Sequence, residues 1–238
     1  MGLIALVKKN IETFIERYGH FYLIATEIEQ LSKRYGRNIK VVDLGCGSAE
    51  YWKFGPLKKV LDNNILELTL VDASDTFSKM KNVFGSNVTM HAGLIPEVLE
   101  DFSENFFDVS LACDLIEHFP QHIGLNFLYE VDRVTSLSSI IFTPNGLLWQ
   151  PPSENNPWNA HLSGWSPSEL RSLGWTKTFG SYGLKKSYGP YGFRKNRFNK
   201  FSFAVHLLSL PVIKKYPRLA FSFVAIKSNK NPRIKIHD

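Results

Sequence analysis

Cysteine is scarce in this chain, with only Cys46 and Cys113 among its 238 residues. Two cysteines are too few for the disulfide framework of a small secreted protein, and they suit a reducing compartment. Long apolar runs are also lacking, because no stretch reaches the roughly 18 residues that a membrane span requires. Lys8 and Lys9 interrupt the apolar opening at once, which does not fit a signal peptide. We therefore expect a cytoplasmic protein without a transmembrane segment.

Acidic residues are nearly missing from the last part of the chain. From Arg171 onward there are 15 Lys and Arg residues against one acid, Asp238, which gives this part a net charge of +14. The whole chain carries only +6, so the first 170 residues are acidic overall. Such a split is typical of a surface for phosphates or anionic lipid, and equally of a basic solvated face. Nucleic acid and a peripheral membrane contact therefore stay open as partners.

The order of the predicted secondary structure indicates one α/β domain. Apolar residues make up 44% and charged residues 21%, as in ordinary soluble globular proteins, and 238 residues provide one substantial core. Short β-branched segments alternate with helical ones, which is typical of right-handed βαβ units in a parallel sheet. The predicted strands cover residues 39–44, 66–72, 87–92, 107–113 and 138–143, with helices over 49–63 (broken near residues 55–56), 74–84 and 121–135.

The residues on either side of this core have a different pattern. Residues 3–35 repeat apolar side chains at helical spacing and predict one or two helices. Residues 144–165 are rich in Pro, Asn, Gly and Trp and predict a long functional loop. Ser166 and Glu169 form a capping box that predicts a short helix. The remaining predictions are a strand over 175–182, a loop over 183–200, an apolar helix over 201–213 that ends at Pro211 or Pro217, and a last strand over 219–226.

A glycine-rich turn closes the first strand, where residues 41–49 read V-V-D-L-G-C-G-S-A. Gly45 permits a sharp turn with positive φ, and Gly47 lets the backbone approach a ligand that a β-carbon would block. Asp72 ends the second strand, and the ends of neighbouring parallel strands form a crevice. A carboxylate in that crevice can accept hydrogen bonds from both hydroxyls of a ribose.

The same turn argues against a dinucleotide. A dinucleotide-binding loop requires a third glycine so that the pyrophosphate can meet the helix N-terminus. This chain has Glu50 at that position, and its charge would repel a pyrophosphate. A second acid, Asp43, precedes the first glycine and suits a ligand that carries a positive sulfonium and an amino group.

Three segments together resemble class I S-adenosylmethionine-dependent methyltransferases. They are V-V-D-L-G-C-G-S-A, L-V-D-A-S at the second strand and F-D-V-S-L-A-C-D-L-I-E-H-F at the fourth. The resemblance covers roughly residues 39–145 and implies S-adenosylmethionine as the methyl donor. It also implies a Rossmann-like, seven-stranded, mostly parallel sheet with helices on both faces and an antiparallel last strand.

The resemblance further implies which residues bind the donor. They are Asp43, Gly45, Cys46 and Gly47 at its methionine end, Asp72 at the ribose, Ala73, Gly93 and Leu94 around the adenine, and Asp114 and Leu115 below the methyl group. Two positions depart from the pattern, because Ala49 replaces a third glycine and no acid follows the third strand. The chain then divides into an N-terminal helical cover (1–38), a donor-binding core (39–145), an acceptor-side half (146–228) and a disordered tail (229–238).

Methyl transfer to a hydroxyl requires a base or a metal to remove the proton. Glu117 and His118 follow the fourth strand beside the expected sulfonium, so His118 is a candidate base with Glu117 orienting it. His161, on the long loop, can fold back over the same crevice. Ubiquinone-pathway O-methyltransferases and small-RNA 3′-terminal ribose methyltransferases bind a divalent metal with a similar segment. Glu117, His118 and His161 are therefore metal-ligand candidates, although we expect none because many relatives keep E-H without a metal.

Three acceptor classes remain open. The leading hypothesis is O-methylation of a small molecule, a sugar or a natural-product hydroxyl, with loops 149–165 and 181–198 forming the acceptor pocket. An RNA ribose methyltransferase is the alternative indicated by interleaved cations and rings. Those residues are Tyr188, Tyr191, Phe193, Arg194, Lys195, Arg197, Phe198 and Lys200. A membrane-associated enzyme for a lipid or quinone-like acceptor is the third, because residues 201–213 are apolar and flanked by lysines.

Overall fold

The computed structural model describes residues 3–73, 84–153, 157–185 and 209–229, and for residues 3–18 it describes the course of the backbone. Its strands are β1 Ile39–Leu44, β2 Leu66–Asp72, β3 Val88–Ala92, β4 Phe107–Cys113, β5 Thr135–Pro144, β6 Lys177–Leu184 and β7 Ala220–Ser228. Its helices are α1 Leu3–Tyr35, α2 Gly55–Asp62, α3 Glu97–Glu100, α4 Gln121–Val134, α5 Pro167–Ser172 and a helical segment over 209–215, here called α6.

The seven strands form one sheet in the order β3-β2-β1-β4-β5-β7-β6. Neighbours from β3 to β5 pair in parallel, and β7 runs antiparallel to both β5 and β6. Every residue of β4 is buried, because apolar clusters cover both faces of the central strands. The predicted Rossmann-like fold, with its antiparallel last strand, is therefore confirmed.

Helix α1 packs its C-terminal half on one face of the sheet. Ile24 and Ile28 are fully buried there, and the Ser138 hydroxyl donates to the Glu27 carboxylate over 3.0 Å. The His20 ring stacks on Phe142 near the carboxyl end of β5, with centroids 3.9 Å apart. Residues before His20 therefore continue past the carboxyl edge of the sheet, because a helix rises about 1.5 Å per residue.

Several elements differ from their predicted bounds for identifiable reasons. The first crossover splits into a 3-10 turn, Glu50–Trp52, and helix α2, because Gly55 adopts positive φ and Pro56 begins a new helix. β5 begins three residues earlier than predicted, where the buried Thr135 hydroxyl contacts Ser110 over 2.6 Å. The four-residue helix α3 was not predicted, since it is too short to show helical periodicity.

Pro211 does not end the predicted apolar helix, because residues 209–215 are helical through it. A proline removes only the hydrogen bond of its own nitrogen, so the backbone after it can remain helical. The helix instead ends before Pro217, which restricts Tyr216 to a non-helical conformation.

Some predictions lie outside the described residues. Residues 74–83 of the predicted helix over 74–84 are among them, as is the predicted loop at 186–200 with its aromatic and basic side chains. The first eight residues of the predicted apolar helix, 201–208, and the tail from residue 230 also lie outside. None of the helices in the described ranges is long and apolar enough to cross a bilayer.

Candidate active site

The carboxyl ends of β1, β2, β4 and β5 carry the residues that the sequence singled out. Gly45 and Gly47 both have positive φ, at 72° and 55°. A β-carbon on Gly45 would lie 2.8 Å from the Leu115 side chain, so this glycine is needed for packing. A β-carbon on Gly47 would meet no atom of the described residues within 4 Å. The space over Gly47 is thus open among the described residues, whereas its contact with a ligand stays a prediction.

Asp72 connects the tips of two adjoining strands. The backbone N–H of Gly47 donates to Asp72 Oδ2 over 2.7 Å. The carbonyl of Asp72 in turn accepts from the N–H of Gly93, over 3.1 Å. These bonds hold a carboxylate beside the open backbone of Gly47, where it can accept further hydrogen bonds from a polyhydroxylated ligand. Ala73, the next residue, is exposed.

Asp43 lies behind the glycine loop and is completely buried. Its Oδ2 accepts hydrogen bonds from the Tyr51 hydroxyl at 2.8 Å and from Trp52 Nε1 at 2.7 Å. Burial raises the pKa of Asp43 to about 6, although the two donors partly offset this. Asp43 therefore braces the loop against the following turn. The sequence analysis did not identify Tyr51 and Trp52 as partners of Asp43. Their position in the first turn after the glycine loop could have indicated that they lie close to it.

The remaining donor candidates flank the same crevice. Gly93 packs closely against Val98 of α3, and Leu94 next to it is 42% exposed. The Cys46 thiol is buried in the core, so only its backbone can face a ligand. Leu115 lies against Gly45 and closes the floor between β1 and β4.

Glu117 is the buried acid of the segment after β4. Its Oε2 accepts from the Thr143 hydroxyl over 2.9 Å, and its backbone carbonyl accepts from the N–H groups of Leu162 and Ser163. Its Oε1 is buried and has no hydrogen-bond partner among the described residues. Sequence reasoning did not identify Thr143 as a partner.

The neighbouring carboxyls of Asp114 and Glu117 both have pKa values above the ordinary range. Desolvation, followed by the nearby charge of Asp114, raises the pKa of Glu117 well above its ordinary value. The pKa of Asp114 also rises, to about 7, through desolvation of its carboxyl, while its hydrogen bond with Glu117 lowers it. Because the Asp114 residue as a whole remains exposed, we place the proton on Glu117.

His118 and His161 lie side by side, with ring centroids 4.9 Å apart and an interplanar angle of 72°. His118 Nδ1 is 3.0 Å from the carbonyl of Ala160, and His161 Nδ1 is 2.7 Å from that of Leu148. A carbonyl only accepts, so each Nδ1 carries the proton of this bond, and in the neutral tautomer with that proton the lone pair lies on Nε2. Burial, followed by the nearness of His118, lowers the pKa of His161. The carbonyl of Ala160, rather than Glu117, orients His118.

The same residues fit a divalent cation. Glu117, His118 and His161 each offer one ligand atom, and these atoms lie within 4.8 Å of one another. Two imidazoles and a carboxylate suit the borderline and harder divalent metals. The carbonyl bonds at both Nδ1 atoms are the outer contacts that orient histidine ligands in metal sites.

The long loop after β5 brings His161 into this group. Its two ends are joined where the Gly146 N–H donates to the Trp165 carbonyl over 2.6 Å. Trp165 is buried against Gly124 of α4, where a β-carbon would lie 2.6 Å from its ring. The predicted fold-back of His161 toward the segment after β4 agrees with this path, whereas its role in catalysis stays a prediction.

The described fold is similar to that of solved methyltransferases. It aligns with a SAM dependent methyltransferase from Archaeoglobus fulgidus over 87% of this chain and 94% of the other, at 16% identity and a TM-score of 0.51. It also aligns with 1,6-didemethyltoxoflavin-N1-methyltransferase from Burkholderia thailandensis over 96% and 89% of the chains, at 13% identity and a TM-score of 0.50. That structure contains bound 1,6-didemethyltoxoflavin and S-adenosylhomocysteine. The sequence matches no protein-family model and no curated protein. The resemblance inferred from the sequence is thus confirmed at the level of the fold.

Proposed function

We propose that the chain is an S-adenosylmethionine-dependent methyltransferase that methylates a hydroxyl group of a small molecule, such as a sugar or a natural product. The observation that carries the proposal is the hydrogen bond from the open backbone of Gly47 to Asp72 at adjoining strand tips. The fold supports it, because solved methyltransferases share it. Residues 39–145 then bind the donor and residues 146–228 contribute the acceptor side, under the cover of residues 1–38.

Donor binding is the first test of this proposal. Calorimetric titration should show binding of S-adenosylmethionine and S-adenosylhomocysteine but not of NAD, because Glu50 disfavours a pyrophosphate. Asp72→Ala should abolish measurable donor binding, since it removes the acceptor that the ribose hydroxyls require. Glu67→Ala is the matched control, because that exposed carboxylate lies on the same strand away from the tip. Unchanged donor affinity in Asp72→Ala would overturn the assignment.

The chain's own residues supply a base for the acceptor hydroxyl. A neutral imidazole with its lone pair on Nε2 can take the hydroxyl proton as the methyl group is transferred. His118 is our candidate, with Ala160 fixing its tautomer and His161 next to it. Asp114 and Leu115 border the expected methyl position, and the protonated Glu117 anchors the loop through its contacts with Thr143, Leu162 and Ser163.

Turnover measurements test the base. Acceptor classes should be screened with labelled donor, with and without a chelator. His118→Ala should lower turnover by about 100-fold or more while donor affinity changes little, which is the range for a general base. Equal turnover in wild type and variant would remove His118 from this role.

A second candidate is a metal-assisted form of the same reaction, which the three converging ligand atoms favour. Glu117, His118 and His161 would hold the cation, and a bound divalent metal would lower the pKa of the acceptor hydroxyl. Loss of turnover with a chelator, restored by added metal, would support this form. Turnover that a chelator does not change would exclude the metal-assisted form and favour His118 acting as the base without a metal.

A further inference from the structure

Large apolar side chains are exposed on the loop that carries His161. Leu147 is 68% exposed, Trp149 61%, Trp158 62% and Leu162 57%. Two tryptophans and two leucines in one segment exceed the scattered apolar side chains that a soluble surface normally carries. Together they indicate a surface that meets something apolar.

A second segment brings further apolar side chains to the same edge of the sheet. Val212, Tyr216 and Leu219 are each more than 40% exposed. The side-chain amide of Asn145 donates to the carbonyls of Pro217, Arg218 and Ala220 at 2.9–3.2 Å. Because Asn145 begins the long loop, this amide joins the two segments. We call the seven exposed side chains the apolar rim: Leu147, Trp149, Trp158, Leu162, Val212, Tyr216 and Leu219.

Positive charge surrounds the apolar rim. Lys214 and Lys215 are exposed on α6, and Arg218 follows in the next turn. Lys185, at the end of β6, lies beside Gly146 at the start of the loop. No Asp or Glu occurs in the described residues 145–153, 157–165, 182–185 and 209–219. Apolar and cationic groups therefore lie together in these segments, whereas the acids at the same edge of the sheet, Asp72, Asp114 and Glu117, belong to the crevice at the tips of β2 and β4.

We propose that the apolar rim docks on the surface of an anionic lipid bilayer, with the long loop inserted at the level of the headgroups. Tryptophan, tyrosine and aliphatic side chains partition into this interfacial region, and flanking Lys and Arg are attracted to anionic lipids. His161 lies next to Leu162 in the chain and contacts the carbonyl of Leu148, between Leu147 and Trp149, so docking would bring the candidate active site to the membrane. Resting on the proposed methyl transfer, the substrate class would be an amphiphilic acceptor that presents its hydroxyl from the bilayer.

The chemistry of the rim favours lipid over nucleic acid. RNA-binding surfaces present rings for base stacking together with cations. Here, leucine and valine supply four of the seven exposed side chains. An aliphatic side chain cannot stack on a nucleic-acid base as an aromatic ring does. The apolar region of a bilayer, by contrast, accommodates both aromatic and aliphatic side chains.

Vesicle co-sedimentation tests the proposal directly. The full chain should bind vesicles of phosphatidylcholine with phosphatidylglycerol and bind phosphatidylcholine alone far more weakly. Trp149→Ser with Trp158→Ser should weaken the binding to anionic vesicles at least tenfold. Tyr129→Ser is the matched control, because this ring is 70% exposed but lies on α4, away from the rim. Loss of binding in the control and not in the tryptophan variant would overturn the proposal.

A charge-matched pair separates local attraction from net charge. Lys214→Gln with Lys215→Gln should weaken partition roughly 30-fold, at about 1 kcal/mol for each basic residue near an anionic surface. Lys33→Gln with Arg34→Gln removes the same charge at the opposite edge, next to the start of β1, and should retain most of the binding. Equal losses in the two pairs would mean that net charge, not the rim, drives association, and would contradict the proposal.

Single-stranded RNA is the competing partner. Fluorescence anisotropy with an RNA oligonucleotide at the same ionic strength should show weak binding that the rim substitutions do not change. Tight RNA binding that is lost in the tryptophan variant, with no binding to vesicles, would overturn the lipid proposal. Vesicle binding does not depend on methyl transfer, so a chain that binds vesicles but not S-adenosylmethionine would refute only the proposed function.

Discussion

Glu117 shows how one residue serves both fold and site. Its backbone carbonyl fixes the long loop through Leu162 and Ser163, while its buried carboxyl accepts from Thr143. A buried carboxyl without a cation is stable as the neutral acid, which agrees with its raised pKa. We infer that Glu117 does not act as a negative charge that orients His118. Its carboxyl instead makes a structural hydrogen bond with Thr143.

The Glu117→Gln variant tests this protonation state. A neutral amide can accept from Thr143 and donate to Asp114, so the free energy of unfolding at pH 7 should change by less than about 1 kcal/mol. Glu117→Ala should cost about 3 kcal/mol, because it leaves an unpaired hydroxyl and a cavity. Urea unfolding in the presence of a chelator measures both. A loss of several kcal/mol in the glutamine variant would mean that Glu117 is ionised in the native protein.

Asp43→Asn should make stability less dependent on pH. The folded pKa of about 6 lies above the ordinary value of 3.8, so the native state holds the proton more tightly than the unfolded chain. Wild-type stability should therefore fall as pH rises from 4 to 6 and then level, by about 3 kcal/mol relative to the variant. Urea unfolding of both proteins at pH 4.5 and pH 8 should show about 2 kcal/mol of this difference, because the unfolded carboxyl is already mostly ionised at pH 4.5. An unchanged difference between the two pH values would contradict the raised pKa.

At the scale of elements, the glycine loop and the strands that carry it followed from local pattern. The bounds of β1, β2 and β4 were predicted to the residue, because segments rich in β-branched and apolar residues end there at glycine or aspartate. Contacts between distant residues could not be predicted in this way. Tyr51 and Trp52 reach Asp43 only because a 3-10 turn redirects the chain, and His161 reaches His118 only through the course of the long loop.

Gly45→Ala and Gly47→Ala should separate packing from ligand binding. Both positions have positive φ, which costs an alanine about 1 kcal/mol. Gly45→Ala should lose a further 1–2 kcal/mol or so through its clash with Leu115. Gly47→Ala should lose only the roughly 1 kcal/mol of the positive φ but should lose donor affinity, because the new methyl group occupies the open space. Thermal melts and titration with S-adenosylmethionine measure the two effects; full donor affinity in Gly47→Ala would exclude this space as the donor site.

At the scale of the whole molecule, buried ionisable groups set the response to acid. His20 is 3% exposed, stacks on Phe142, and has an Nδ1 without a partner among the described residues. Burial lowers its pKa from 6.5 to about 3. Below pH 6.5 this imidazole is therefore protonated in the unfolded chain but stays neutral in the folded protein. The free energy of unfolding consequently decreases as the pH falls below 6.5.

His20→Phe should remove this acid sensitivity. Phenylalanine keeps the stacking on Phe142 and has no nitrogen to protonate. Between pH 7 and pH 5 the wild type should lose about 2 kcal/mol relative to the variant. His122→Phe, at an exposed position on α4, is the control and should keep the wild-type pH dependence of unfolding. Parallel loss in wild type and His20→Phe would show that this imidazole is not the acid-sensitive group.

The length of α1 has a practical consequence for fusion proteins. His20 marks the level of the β5 tip, so the helical residues from Leu3 to that point extend about 25 Å beyond the crevice. The last described residue, Asn229, leaves the sheet at the opposite edge, where its N–H bonds to Leu137. A reporter or affinity handle attached upstream would thus stand on the side of the molecule where the crevice opens, whereas one attached downstream would point away.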